Sequence, residues 1–192
     1  MLRSFIRLAV PGAAILILAA CGGGGYGSAQ QPTPTPATSP TPSYPAGFTA
    51  YGFAKVVATT KVIPGQAATL TSGEITIQIP AAAFDQPVTF QLLEGDNSYW
   101  QHYVPQGQTV IANFAFRVID DSSNQVVAKF KAPVVFVLSD PQVNAKTLYE
   151  NTTPTNPPSV EPNPLAPTIT GQVLKHGNLG APVGWLVANP QS

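Results

Sequence analysis

"GEITIQIP" (Gly73 to Pro80) alternates apolar and polar side chains without a slip: Ile75, Ile77 and Ile79 fall on one face, and Glu74, Thr76 and Gln78 on the other. Successive side chains of an extended chain point to opposite sides, so this stretch spells a half-buried β-strand. Pro80 closes it, having no N–H to give a ladder. The same period of two runs outward from here. "PVTFQLLE" (Pro87 to Glu94) sets Val88, Phe90 and Leu92 on one face. "TVIANFAFRVID" (Thr109 to Asp120) sets Val110, Ala112, Phe114, Phe116 and Val118 inward, with Asn113 and Arg117 outward. "DDSSN" (Asp120 to Asn124) reads as a polar turn into "QVVAKFK", and Pro133 interrupts before "VVFVLSD", whose inner face is Val134, Phe136 and Leu138. Weaker strands, "AYGFAKVVATT" and "QAATLTS", flank a turn at Ile63-Pro64-Gly65, and late strands are expected at Thr168 to Leu174 and Val183 to Ala188. No window offers an amphipathic helix. Short strands punctuated by turns predict an all-β fold, an antiparallel β-sandwich over residues 47–192. "NTTPTNPPSVEPNPLAP" (Asn151 to Pro167) is expected to be a long, proline-rich, solvated loop within it.

Upstream the composition changes. Arg3 and Arg7 make a cationic start, Leu8 to Leu18 is apolar apart from Pro11-Gly12, and Ala19-Ala20 precede the chain's one cysteine, Cys21. Positive end, apolar middle and small residues form the plan of an export signal. At roughly 11 residues the apolar run is too short for a bilayer core, which takes about 20. Leu18-Ala19-Ala20-Cys21 resembles the lipobox of bacterial lipoproteins. That resemblance implies cleavage after residue 20, diacylglycerol on the Cys21 sulfur and attachment to a membrane through the N-terminal lipid. Lipidation also accounts for a solitary cysteine in an oxidising compartment, where exported cysteines normally pair. Gly22 to Gly25 and "QQPTPTPATSPTPSYP" (Gln30 to Pro45) follow, with no charge between Leu8 and Ala54. Residues 21–46 are thus expected to be a lipidated cysteine and a disordered, polyproline-rich linker, a stalk of roughly 40–70 Å if extended.

Charged residues make up 9% of the chain and the formal net charge is zero; loss of Arg3 and Arg7 with the signal would leave the mature chain slightly acidic, which argues against a nucleic-acid partner. Candidate chemistry is sparse. The histidines, His102 and His176, are far apart in sequence, Ser139-Asp140-Pro141 has turn composition, and Asp120-Asp121 with Asn124 fits a hairpin turn better than a calcium loop. No catalytic residue, metal ligand or cofactor is expected. "NSYWQHYVPQGQ" (Asn97 to Gln108) is the candidate ligand-binding segment, since Tyr99, Trp100, His102 and Tyr103 crowd into a stretch bordered by turn residues. Aromatic side chains on a loop bring contact area at low entropic cost, suiting a glycan or a protein surface. The competing reading folds Trp100 back against the sandwich.

Ser72 to Glu94, with "FAFRVID" and "KFKAPVVFVLSDPQV" beyond, resembles the β-sandwich shared by ankyrins, netrin receptors and many bacterial surface proteins. The matching residues are Gly73, Ile77, Ile79, Pro80, Ala83, Phe84, Val88, Phe130, Pro133 and Val134. The resemblance implies a sandwich and little about function. Some relatives cut themselves at a His-Phe-Ser step; His176-Gly177-Asn178 lacks the aromatic and the hydroxyl, so no self-cleavage is expected. Together these readings describe a lipid-anchored module on the outer face of a bacterial membrane, in the cell envelope. Its expected role is binding, adhesion or envelope assembly, with an envelope protein or glycan as partner. The alternatives are an accessory subunit of an envelope complex, or a hydrolase assembled from scattered Asp, Ser and His.

Overall fold

The computed structural model describes Phe48, Gly52, Phe53 and residues 55–153, 158–181 and 184–191. The expected signal, Cys21 and the linker lie outside the described residues. In chain order the elements are β1 (Lys55–Val62), β2 (Ala68–Ser72), β3 (Ile75–Ile79), β4 (Val88–Glu94), α1 (Asn97–Gln101), β5 (Gln108–Asp120), β6 (Lys129–Ser139), β7 (Leu148–Thr153), β8 (Ser159–Pro162), β9 (Thr168–Thr170), β10 (Val173–Gly180) and β11 (Gly184–Pro190). One sheet runs β1-β4-β5-β11-β7-β8 and the other β2-β3-β6-β10-β9. Every pairing is antiparallel. This is the expected all-β sandwich.

Its core follows from the alternation. Ile75, Ile77 and Ile79 are buried while Gln78 is exposed, and β4 and β6 alternate likewise through Val88, Phe90, Leu92 and Val134, Phe136, Leu138. Each such side chain gains about 1.5–3 kcal/mol from leaving water. Phe114 of one sheet stacks on Phe136 of the other, with centroids 3.9 Å apart and planes 3° from parallel. Phe84 packs edge-on against Phe130 at 5.2 Å.

The structure departs from the sequence reading at several points. Thr168 to Leu174 is two strands, because Gly171, at φ +59°, turns the chain between β9 and β10. Asn151 to Pro167 is not one irregular loop: Asn151–Thr153 completes β7, and Ser159–Pro162 pairs with it as the edge strand β8. At a sheet edge the N–H that Pro162 lacks is not required. Pro133 does not interrupt β6, since β3 pairs with Val135–Leu138 only and the β10 register slips between Asn178 and Gly180. "QVVAKFK" yields strand only from Lys129; before it Val126 makes a single bridge to Ile119. Val110 points away from the core. A register shift where β5 meets Val187 and Ala188 of β11 flips the parity, leaving Ile111 in the core and Val110 on the opposite face.

That opposite face carries a second apolar cluster: Phe53, Leu93, Trp100, Val110, Ala115, Leu186 and Ala188. The middle of the outer surface of the six-stranded sheet, on β4, β5 and β11, is therefore covered by α1 and by Phe48 and Phe53. Close approach makes glycine necessary beneath this cover. A Cβ on Gly95 would stand 2.0 Å from Asn113 Oδ1 and 2.7 Å from the Gly52 carbonyl oxygen. Gly95→Ala is expected to cost ~1–3 kcal/mol, the scale of overpacking, read as a lower urea midpoint with an unchanged slope.

Candidate ligand-binding site

The expected aromatic loop contains a short helix. Asp96 caps α1, its carboxylate accepting from Ser98 N at 2.8 Å and from Ser98 Oγ at 2.7 Å. Those two bonds, the hydroxyl's first, hold the Asp96 carboxyl below its ordinary range. Five residues cannot hold a helix by themselves. Gln101 fastens this one to β5: its Nε2 donates to Gln108 O at 2.8 Å and its Oε1 accepts from Val110 N at 2.9 Å. Asn97 adds a bond from Nδ2 to Ile111 O at 3.2 Å.

The helix drives Trp100 into the second cluster, where it is 0% exposed and lies 5.4 Å from Phe53 between ring centroids. Tyr99 and Tyr103 pack on Trp100 at 5.5 and 5.9 Å and are half-buried, and His102 is exposed. Of the four aromatic positions singled out from sequence, Trp100 therefore offers no surface, and a contact there falls to Tyr99, His102 and Tyr103. The reason is the unforeseen helix, which aims one ring at the sheet.

His102 and His176 do not meet. His176 faces the interior from β10, stacked on Tyr149 at 4.1 Å, whereas His102 sits over the outer face of the other sheet. Ser139 alternates to the face of β6 opposite the one His176 shares with Phe136. Asp140 turns its Oδ1 to Gln142 N at 2.6 Å, capping a turn. At that end of the sandwich Glu74, Glu94, Asp96 and Asp140 line a cleft of about 490 Å³. A hydrogen bond with Asp140, reinforced by its charge, raises the Glu74 carboxyl above its ordinary value. Among the described residues no group of three or more His, Cys, Asp or Glu side chains is arranged to hold a metal ion.

His176 Nε2 stands 3.1 Å from Leu165 O and Nδ1 3.0 Å from Asn178 Oδ1, so the ring ties β10 to the crossover between β8 and β9. Burial outweighs these two contacts and lowers its pKa. An unfolded chain then binds more protons than the folded one between the ordinary histidine value and the depressed one, so stability falls as pH drops through that window. Melting temperatures followed from about pH 7.5 down to pH 5 should show this loss, and His176→Gln should flatten it.

No protein-family model matches this chain, and a search of curated proteins found no match. Apolar walls and buried polar groups meet beside β7 and β8. A cleft of about 520 Å³ opens there, walled by Pro105, Leu148, Val160, Pro162, Pro167 and Ile169. Such a volume suits a small organic ligand, for which pockets run about 300–1,000 Å³. Glu150 and Gln108 also line it. Glu150 is 3% exposed, and its Oε1 accepts a long 3.5 Å bond from Gln108 Nε2. Glu150 Oε2 and Gln108 Oε1 are buried without a hydrogen-bond partner. Burial raises the Glu150 carboxyl above its ordinary value, against the smaller opposing effect of Gln108. The sequence does not announce this cleft, because Asn151 to Pro167 has the proline-rich composition of a loop. The available signal was a lone acid, Glu150, in a strand whose neighbours are neutral.

Proposed function

We propose that this chain is a bacterial lipoprotein, a β-sandwich carried on the outer face of a membrane by acyl chains on Cys21. It serves as a non-enzymatic binding, adhesion or envelope-assembly module in the cell envelope. The observation that carries the anchor is Leu18-Ala19-Ala20-Cys21, the chain's one cysteine placed directly after a short apolar run. One acyl chain holds weakly and two or three hold stably, so full acylation suits permanent display. The uncharged proline-rich stretch acts as the stalk. We read the sandwich as akin to that of ankyrins and netrin receptors, on the residues from Gly73 to Val134 given above.

For an envelope protein or a glycan, the outer aromatic patch of Tyr99, His102 and Tyr103 is the contact surface, with Trp100 beneath it as a prop. The support is its composition: aromatic groups partly open to water over a rigid, buried ring. Two experiments test the reading. Mass measurement of the native amino terminus should find a diacylglyceryl-modified Cys21; a chain beginning at Met1 that stays in the aqueous phase on detergent partitioning overturns the anchor. Pull-downs from envelope extracts and glycan binding should weaken in Tyr99→Ala and Tyr103→Ala; full retention in both variants removes the aromatic patch.

A further inference from the structure

We infer that the cleft beside β7 and β8 binds a small primary alkylammonium compound, its charged head on Glu150 and Gln108 and its apolar body along the cleft wall. The inference deepens the binding-module reading and rests on it, but it uses neither the anchor nor the aromatic patch.

The chemistry follows from what is left unmade. Buried acceptors without donors are costly, and a carboxylate more so than an amide. Here Gln108 Nε2 reaches Glu150 Oε1, and Gln108 Oε1 and Glu150 Oε2 are each left without a donor. Among the described residues Glu150 has no ion pair. Lys146 and Tyr149 are the other titratable groups lining the cleft, and neither hydrogen-bonds to Glu150. A primary ammonium supplies what is missing, with three N–H donors and a positive charge on one compact head. Below the head, Leu148 and Val160 offer apolar surface to a chain, and Pro105, Pro162 and Pro167 stiffen the rim. An anion would meet the buried carboxylate, and an uncharged chain would leave both oxygens unpaired.

Proton competition gives a signature. Burial favours the neutral carboxyl, whereas an ammonium favours the carboxylate, so binding expels a proton and weakens as pH falls through the raised Glu150 value.

The test titrates the purified full chain with butylammonium, n-butanol, butyrate and a lysine-containing tripeptide, following backbone amide signals by NMR. Butylammonium should shift Gln108, Glu150 and Val160 together, and bind at least about tenfold more tightly than butanol or butyrate, the scale of one charge-assisted hydrogen bond. Glu150→Gln keeps the side-chain volume and should lose about that factor, and the pH dependence with it. Ala166→Trp, on the exposed crossover at the cleft mouth, should weaken binding without touching either sheet. Equal binding of butanol and butylammonium overturns the inference, as does an unchanged affinity in Glu150→Gln with its fold intact. Binding of the lysine tripeptide without the free amine also overturns it, and leaves a binding module with a peptide ligand. Loss of glycan or protein capture in the aromatic variants bears on the other surface, so the two readings fail separately.

Discussion

Phe114→Ala is expected to lower the unfolding free energy by ~3–5 kcal/mol, a large share of what a domain of this size has to lose. Phe114 is fully buried at the middle of β5, in the centre of the six-stranded sheet. Its ring lies flat on Phe136 across the sandwich and touches Trp185 at 5.3 Å, Phe116 at 5.6 Å and Tyr149 at 6.2 Å. Truncation removes the transfer free energy of the ring and opens a cavity that rigid neighbours cannot fill. Because β5 is held by β4 on one side and β11 on the other, its backbone has little freedom to collapse inward. The melting temperature should fall on the order of 10 °C, measured by calorimetry. Phe114→Leu keeps most of the volume and should cost less than half as much. An alanine variant within ~1 kcal/mol of the parent would mean that Phe114 and Phe136 do not hold the sheets together.

How far the fold could be read beforehand depends on which side of each strand met water. Where a strand is buried on one face only, the pattern of two is unmistakable: Ile75, Ile77 and Ile79 against Thr76 and Gln78, or Val134, Phe136 and Leu138. β5 and β11 are buried on both faces, so alternation there says nothing about a bulge and assigns Val110 to the wrong side. The edge strand β8 has the opposite difficulty. Pro158 and Pro162 look like loop residues, yet an edge strand tolerates them because half of its ladder is unused. The helix at Asn97–Gln101 lacks an apolar periodicity because it makes only about one turn, which is too short to show one. Its start was written in Asp96-Asn97-Ser98, a capping sequence that reads equally well as a turn. The site was less legible still. Tyr99, Trp100, His102 and Tyr103 drew notice by composition, but only the fold separates a buried ring from those beside it. Glu150 became notable once β7 and β8 paired and set it on the covered face beside Leu186 and Pro162.

Trp100→Ala is the other substitution with a large expected effect, again ~3–5 kcal/mol, and it separates a prop from a ligand contact. The indole fills the space between α1 and the outer face of the sheet, against Phe53, Tyr99 and Tyr103. Without it, a one-turn helix retains only the Gln101 and Asn97 bonds to β5, and Phe53 loses its largest neighbour. Loosening should therefore begin at residues 97–104, with faster amide exchange there than in β3, β6 and β10. The chain has two tryptophans, so the variant leaves Trp185 as the sole indole, reporting the main core from the far side of the sheet. Its emission should stay native-like at temperatures where the helix segment already exchanges freely. Trp100→Phe preserves an aromatic ring against Phe53 and removes Nε1, a buried donor with no partner, so it should cost clearly less than alanine. A tryptophan that served only to touch a ligand would behave otherwise: alanine there would change stability by no more than about 0.5 kcal/mol while abolishing binding. Finding that second pattern would mean Trp100 turns outward in solution, and the aromatic patch would then have to be redrawn around an exposed indole.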